Sequence, residues 1–272
     1  FLEHYRRIGV DHFAIVDNGS EDGTADFLER QPDVSLYRTP QSYAAAGCGA
    51  AWIDTLVERH AAGRWCLVAD ADELLVYPGY PDRSLRDLVA YHAARGFGAM
   101  ASVMLDMYAA TLCPPPEAVG SFLDLCPYYD ADGIGVACRV LLDRAQNRLT
   151  GGFRNRVLGT RVILNKIALF RHRPGVRLSA GNHAIRGARC SDLRAVHLHF
   201  KYLADFRERV LGEIARGEHW NRASAYRSYA RALGDRKTLN VLYAGSRQWA
   251  GVQPLIGCGL MRTSPRFERF CR

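Results

Sequence analysis

Short apolar runs alternate with stretches of helical spacing through the first part of this 272-residue chain. Runs of strand length and strand composition cover residues 13–17, 34–38, 65–69 and 98–107. Stretches with apolar residues at helical spacing cover residues 25–30, 43–60 and 84–95. This alternation of strands and helices predicts an α/β fold, in which helices flank a Rossmann-like mixed sheet.

The pattern changes in the second half of the chain. Two further strands are predicted at residues 161–170 and 193–200. Two amphipathic helices are predicted, one beginning at Tyr202 and one at 223–233. The remaining residues, 234–272, contain Gly and Pro and predict a weakly structured tail. We therefore expect one α/β domain over residues 1–201, with residues 202–272 packing on it as C-terminal helices and a tail.

Acidic residues follow two of the predicted strands at the point where each strand ends, and we expect these two strands to belong to one sheet. Asp70, Asp72 and Glu73 come directly after the run at 65–69, and Asp17 ends the first strand. Open α/β sheets bind ligands at the carboxyl ends of their strands, and carboxylate oxygens suit Mg²⁺ or Mn²⁺. A cation held in this way usually meets a phosphate group. The alternative is that a lone Asp-x-Asp only caps the next segment and faces water.

Six short motifs occur in an order that resembles the family 2 type of glycosyltransferase with the GT-A fold. The resemblance covers residues 1 to about 233. The motifs are Asp17-Asn18-Gly19-Ser20-x-Asp22-Gly23-Thr24, Asp70-x-Asp72-Glu73, Gly151-Gly152-x-Arg154-x-Arg156, Leu164-Asn165-Lys166, Gly181-Asn182-His183 and His199-Phe200-Lys201. The ordered set is far more specific than any one of its members.

The resemblance implies a nucleotide-sugar donor, a Mn²⁺ or Mg²⁺ ion bridging its diphosphate, and transfer to the hydroxyl of a glycan, polysaccharide or lipid-linked acceptor. It implies that Asp72 and His199 hold the cation. Asp70 is expected to bind the ribose, the cation or a water on the cation. The resemblance also implies that the chain, which begins at Phe1 without a Met, is truncated within the first helix of the family and lacks its first strand.

Positive charge is concentrated in one sector of the chain, whose net charge is +8. No acid occurs between Asp143 and Asp192. Eleven Lys and Arg residues lie in that interval: Arg144, Arg148, Arg154, Arg156, Arg161, Lys166, Arg171, Arg173, Arg177, Arg186 and Arg189. We expect the nucleotide sugar to be bound by four basic residues, Arg154, Arg156, Lys166 and Lys201. We also expect Asp17 to bind it as a hydrogen-bond acceptor. Alternatively, these basic residues form a solvated surface or a patch that binds anionic lipid. The sequence contains no recognised nucleic-acid-binding motif.

An inverting transfer, which the resemblance implies, requires a base that removes the proton of the acceptor hydroxyl. No carboxylate exists between residues 144 and 191. Asp106, at a strand end, and His183 are therefore the candidate catalytic bases. Asp106 could equally be a structural hydrogen-bond acceptor, and His183 could instead bind the acceptor sugar.

Two other functions fit the same sequence features. One is a nucleotidyltransferase-like enzyme with a similar sheet and cation, and the other is a non-catalytic basic protein that binds anionic glycan or lipid. The eight cysteines include no C-x-x-C pair, and no apolar run reaches about 18 residues, the length that a membrane span needs. We expect a cytoplasmic protein, with contact at a membrane surface left open.

Overall fold

The computed structural model describes residues 1–113, 120–141, 144–179, 182–235 and 239–272. The helices are α1 (Leu2–Arg7), α2 (Thr24–Glu29), α3 (Ala50–His60), α4 (Leu85–Arg95), α5 (Phe122–Leu125), α6 (Phe153–Leu158), α7 (Phe206–Arg216), α8 (Trp220–Leu233), α9 (Gln253–Gly257) and α10 (Pro265–Phe270). The strands are β1 (Phe13–Asp17), β2 (Val34–Arg38), β3 (Trp65–Leu67), β4 (Glu73–Val76), β5 (Ala99–Tyr108), β6 (Thr111–Leu112), β7 (Tyr128–Asp130), β8 (Ile134–Leu141), β9 (Arg144–Gly151), β10 (Asn165–Arg171), β11 (Arg177–Ser179), β12 (Ala184–Arg186), β13 (Cys190–His199), β14 (Leu239–Asn240) and β15 (Ser246–Gln248).

The chain forms a mixed α/β structure around a seven-stranded sheet, as the alternating pattern predicts. Its centre is the long strand β5, which pairs parallel with β13 on one side and antiparallel with β10 on the other. Beyond these, β4 pairs with β13 and β3 pairs with β10, both antiparallel. The end of β5 also pairs with β7, which in turn pairs with β15. The mixture of parallel and antiparallel pairs confirms the predicted mixed sheet.

The first two strands do not join this sheet. In the described part of the chain, β1 pairs in parallel with β2 alone, from Phe13 opposite Val34 to Asp17 opposite Arg38. The expectation that Asp17 and Asp70 end two strands of one sheet is therefore wrong. The two acids follow strands of different sheets, because strand pairing is decided by long-range contacts that the apolar runs do not specify.

The acidic motif lies between two strands rather than after one. The strand predicted at 65–69 ends at Leu67, and a further strand, β4, begins at Glu73. All four residues of β4 are buried, and it pairs with β13 from Val76 opposite Val196 to Glu73 opposite His199. The segment Asp70 to Asp72 is thus a turn whose two ends are both held by the sheet.

Two hydrophobic clusters position the helices around this sheet. In the larger cluster, buried side chains such as Tyr5 and Leu88 of α1 and α4 pack with those of β4, β5 and β13. The smaller cluster joins α6, α7 and α8 through side chains such as Phe153, Val210 and Tyr229. As a result, α7 and α8 are fixed near the end of β13 that carries His199. Among the described residues, no helix is long and apolar enough to cross a membrane.

The C-terminal residues are more ordered than the predicted tail. Helices α9 and α10 and strand β15 lie within it, and Leu255, Met261 and Phe267 are buried in the larger cluster. Arg194 and Arg262 also exchange two backbone hydrogen bonds of 2.9 and 3.0 Å. Each of these helices has only five or six residues, too few to show a helical period in the sequence.

Candidate functional site

Backbone hydrogen bonds fix the turn that carries Asp70 and Asp72. The amide of Glu73 donates to the carbonyl of Asp70 at 3.0 Å, and the amide of Phe200 donates to the carbonyl of Asp72 at 2.8 Å. The amide of Asp70 in turn donates to the Glu73 carboxylate at 3.2 Å. The turn is therefore tied to the end of β13, and the Asp72 side chain lies beside His199.

His199 occupies the point where three strands meet. In the sheet it lies opposite Glu73 of β4 on one side and Asp106 of β5 on the other. Its Nδ1 lies 2.7 Å from Asp106 Oδ1, and its Nε2 lies 3.4 Å from Asp72 Oδ2. His199 is only 6% exposed, so both ring nitrogens depend on these carboxylates.

Arg154 holds Asp106 from the opposite side. Its Nε lies 2.8 Å from Asp106 Oδ2 and its terminal nitrogen 2.8 Å from Oδ1, which is a two-pronged ion pair. Burial alone would raise the pKa of Asp106, but Arg154 and His199 outweigh it and hold that pKa below its usual range. Asp106 is therefore a charged, fully engaged carboxylate and a poor base for an acceptor hydroxyl.

Two glycines allow the chain to deliver Arg154 to this position. Gly151 and Gly152, with φ of +115° and +68°, precede α6, and a Cβ on Gly151 would lie 2.0 Å from the carbonyl oxygen of Gly133. Only glycine fits such a close approach at positive φ. The two glycines are thus needed for the backbone path that places the buried guanidinium of Arg154.

The proton on His199 can be assigned from these contacts. Arg154 also lies 3.1 Å from His199 Nδ1, but it already donates to Asp106, and the shorter 2.7 Å contact joins Nδ1 to the carboxylate. We assign Nδ1–H as the donor to Asp106; Nε2 then carries a lone pair in the neutral ring and a proton directed at Asp72 in the charged ring. Burial alone would lower the pKa of His199, but Asp72 and Asp106 outweigh burial and raise it.

A lysine neutralises the other acids of the motif. Lys166 Nζ donates to Asp70 Oδ2 at 2.8 Å and also to the Glu73 carboxylate. Lys166 and Glu73 are 5% and 0% exposed, whereas the Asp70 side chain is 63% exposed. The structure therefore brings Lys166 into the acidic motif, as an ion-pair partner rather than as a cation open to the pocket.

A pocket of about 310 Å³ opens above Asp70, Asp72 and His199. Its remaining walls come from residues far away in the sequence: Tyr43, Lys201, Phe206, Arg209, Glu213, His219 and Tyr226. The His219 ring lies 5.3 Å from the Tyr43 ring and 4.7 Å from the Tyr226 ring, between centroids. Helices α7 and α8 thus cover the acidic turn with a mixed polar and aromatic surface.

One carboxylate joins the two sides of the pocket mouth. Glu218, just before α8, accepts from the Ser42 hydroxyl at 2.8 Å and from the Ala44 amide at 3.1 Å. Tyr43, between these two partners, is one of the pocket-lining residues. We call the contact between Glu218 and residues 42–44 the mouth clip.

Lys201 is the lysine that lines the pocket. Its Nζ donates to the Tyr226 hydroxyl at 2.9 Å and lies 4.8 Å from the centre of the Tyr226 ring. Burial lowers its pKa, with Asp72 acting in the opposite direction. A hydroxyl and an aromatic face compensate an ammonium only partly, so Lys201 remains available to an anionic ligand.

Asp106, Arg154 and Lys166 contact His199 or the acidic motif without lining the pocket, and three further predicted site residues do not line it either. Asp17 accepts from the Ser20 amide at 3.1 Å within its own turn. Arg156 pairs with Asp130 at 2.9 Å in a separate cluster. His183 Nδ1 lies 2.6 Å from the Asn165 carbonyl oxygen, and burial lowers its pKa. Gly181, which precedes the Asn182-His183 pair in the sequence motif, lies outside the described residues.

The sequence patterns indicate no site role for six of the pocket residues: Tyr43, Phe206, Arg209, Glu213, His219 and Tyr226. They lie on a turn and on two helices where the sequence shows only packing and solvated charge. The signal that could have found them is the placement of aromatic and ionisable residues at one end of α7 and α8, but it has no meaning until those helices are docked on the sheet.

The donor chemistry fits a hard divalent cation, although the cation site is only partly assembled. Among the described residues, no three His, Cys, Asp or Glu side chains surround one point as a metal centre. Asp72 Oδ2 and His199 Nε2 nevertheless lie 3.4 Å apart, and Nε2 offers a lone pair when the ring is neutral, with Asp106 orienting the ring from behind. Mg²⁺ in enzymes is commonly held by one or two carboxylates and completed by the phosphates of a substrate.

No known protein family matches this chain, and no curated protein matches it either. The residues of the site therefore carry the functional argument.

Proposed function

We propose that this protein is a cation-dependent glycosyltransferase of GT-A-like architecture. It would move a sugar from a nucleotide-diphosphate donor to the hydroxyl of a glycan or lipid-linked acceptor. The observation that carries the proposal is the pairing of Asp72 with the Nε2 of His199, 3.4 Å apart at the base of the pocket, while Asp106 holds the other ring nitrogen. A carboxylate behind a histidine is the usual way of fixing a metal-ligating imidazole.

Asp72 and His199 would hold the cation, with Mn²⁺ or Mg²⁺ supplying Lewis acidity toward the leaving diphosphate. Lys201 would bind a phosphate oxygen, since it lines the pocket and lacks a carboxylate at salt-bridge distance among the described residues. The exposed part of Asp70 would contact the ribose or complete the cation site. Arg154 supports these residues through Asp106 rather than binding the donor directly.

Glu213 replaces Asp106 as our candidate for the base. It lines the pocket on α7, opposite the acidic turn, whereas Asp106 is committed to Arg154 and His199. Its carboxylate lies 3.0 Å from Arg216, and 21% of its side chain is exposed, so it is open to an acceptor hydroxyl in the pocket. His183 remains the alternative base, because its Nδ1 contact to a carbonyl leaves Nε2 as a proton acceptor.

The acceptor is the least specified part of the proposal. The aromatic rings of Tyr43 and Tyr226 at the pocket wall suit the apolar face of a sugar. Exposed arginines of the basic sector, such as Arg186 and Arg189, would suit an anionic glycan or a lipid surface. We propose no nucleic-acid partner.

Calorimetric binding of UDP and GDP, each with Mn²⁺ and then with EDTA, tests the proposal. We expect nucleotide binding to require Mn²⁺. We also expect its affinity to fall by about 10-fold or more in Asp72→Asn and in His199→Gln, because even the loss of a residue that only supports a metal ligand typically weakens metal binding by about 10-fold or more. Glu58→Gln, at an exposed carboxylate paired with Arg177 away from the pocket, is the matched control and should bind as the parent does.

Two results would contradict the proposal. One is nucleotide binding that ignores both EDTA and the two substitutions, which would favour a non-catalytic basic binding protein. The other is a nucleotide-containing polymer or diphosphate-linked product in place of a glycoside, which would favour a nucleotidyltransferase. Product analysis by mass spectrometry with UDP- and GDP-sugars separates these cases.

A further inference from the structure

Lys166 occupies a position that a cation at the acidic motif would also use. It extends from β10, in the middle of the sheet, to the turn between β3 and β4, where it contacts Asp70 and Glu73. Its ammonium is buried, so these two carboxylates are its charge partners. A buried ammonium between two acids does electrostatically what a bound cation would do there.

The two carboxylates hold Lys166 with very different firmness. Glu73 is 0% exposed, so losing Lys166 would leave it as a buried, unpaired charge, which is strongly unfavourable. Asp70 is 63% exposed, and water can replace Lys166 around it. Glu73 therefore anchors the ammonium in place, and Asp70 is the partner that can exchange.

We infer that Lys166 competes with the divalent cation for the carboxylate of Asp70 and thereby weakens cation binding to the protein alone. The inference rests on the proposed cation site at Asp72 and His199. Because Glu73 keeps the ammonium within 2.8 Å of Asp70 Oδ2, a cation reaching that oxygen must displace Lys166 or share the carboxylate with it. The cation thus has two protein ligands that Lys166 does not contact, Asp72 and His199, and one that it does contact, Asp70.

Removing Lys166 alone would leave Glu73 unpaired, so the informative variant is Lys166→Met with Glu73→Gln. We expect it to bind Mn²⁺ alone about 10-fold or more tightly than the parent, because the ammonium that contests Asp70 Oδ2 is gone while the net charge of the site is unchanged. Electron paramagnetic resonance of free Mn²⁺ measures this affinity without substrate or turnover. Thermal unfolding with and without Mn²⁺ provides a second readout, because a tighter ligand raises the unfolding temperature further.

Lys201→Met is the matched control. Lys201 also faces Asp72 across the pocket but contacts Tyr226 rather than Asp70. If removing any nearby ammonium tightened Mn²⁺ binding, Lys201→Met would gain as much Mn²⁺ affinity as the Lys166→Met, Glu73→Gln variant, and the inference would be overturned. We expect Lys201→Met to change the Mn²⁺ affinity by less than about 3-fold, because its ammonium contacts the Tyr226 hydroxyl and occupies no carboxylate oxygen of the cation site.

The role of Asp70 completes the test. We expect Asp70→Asn to weaken Mn²⁺ binding by less than about 3-fold in the parent but by about 10-fold in the Lys166→Met, Glu73→Gln background, which is the coupling that shared partners produce. An equal effect in both backgrounds would overturn the competition. Failure of the proposed function appears differently, as Mn²⁺ binding that does not depend on Asp72 in any background.

Discussion

Three side chains, Asp106, Arg154 and His199, form a mutually dependent group. Each is less than 10% exposed, and each uses another of the three as its charge partner. Buried charges are tolerated only when they are paired, so a change at one of them acts on the other two. The sequence predicts separate roles for these residues: Arg154 as a ligand of the nucleotide sugar, Asp106 as a base and His199 as a cation ligand. Their need for charge partners explains why they lie in one cluster.

At the same scale, Asp106→Asn should destabilise the protein. The substitution keeps the shape of the side chain but leaves the buried Arg154 without a countercharge, and we expect the free energy of unfolding to fall by about 3–5 kcal/mol. Urea denaturation at pH 7.5 measures this. The paired variant Asp106→Leu with Arg154→Met should recover most of the loss, and a pair as unstable as the single variant would contradict the argument.

At the scale of elements, the pocket depends on how a turn and two helices meet. The mouth clip joins residues 42–44 to the start of α8 across 176 positions of sequence. Tyr43 and His219, which flank the clip, contribute pocket wall from opposite sides. The shape of the mouth is therefore set by a few contacts: the hydrogen bonds of Glu218 and the packing of the Tyr43 and His219 rings.

Breaking the clip should affect binding more than folding. In Glu218→Ala, we expect the dissociation constant for the nucleotide with Mn²⁺ to rise roughly 3- to 10-fold, because the closed mouth would be populated only part of the time. Calorimetry measures the affinity, and circular dichroism checks that the thermal transition moves little. Glu208→Ala, on the same helical region but outside the pocket lining, is the control. An unchanged affinity would exclude a role for the clip.

At the scale of the whole molecule, burial of ionisable groups makes stability depend on pH. His4, on α1, is 7% exposed and its Nε2 lies 2.9 Å from the carbonyl oxygen of Leu75. Burial lowers the pKa of His4 to about 4, with the nearby Arg7 adding to the effect. The neutral ring is thus part of the contact between α1 and β4.

The free energy of unfolding should therefore fall as the pH drops below about 6.5, the ordinary pKa of histidine. Below that pH, His4 binds a proton in the unfolded chain but not in the folded protein. We expect His4 to contribute a loss of about 2 kcal/mol between pH 7.5 and pH 5, levelling off near pH 4. Urea denaturation of the parent and of His4→Gln at both pH values isolates the contribution. An equal loss in the two proteins would contradict it.

Much of the fold follows from local patterns. Strands β1, β2, β5, β10 and β13 and helices α2 and α4 lie within a few residues of their predicted positions. Helix α4 illustrates why: Ser84 and Asp87 cap its start reciprocally, and Gly96 ends it in a left-handed conformation. Such signals involve residues only a few positions apart, so the sequence expresses them directly.

The sequence by itself determined the mixed α/β class, the order of most elements, the position of Asp70 and Asp72 next to a strand and that of His199 at the end of one. Only the tertiary structure decided which groups neutralise them. Lys166 lies 96 positions from Asp70, and Asp106 lies 93 positions from His199. Pairings over such separations depend on strand order and helix docking, which arise from the packing of the whole core rather than from any local pattern.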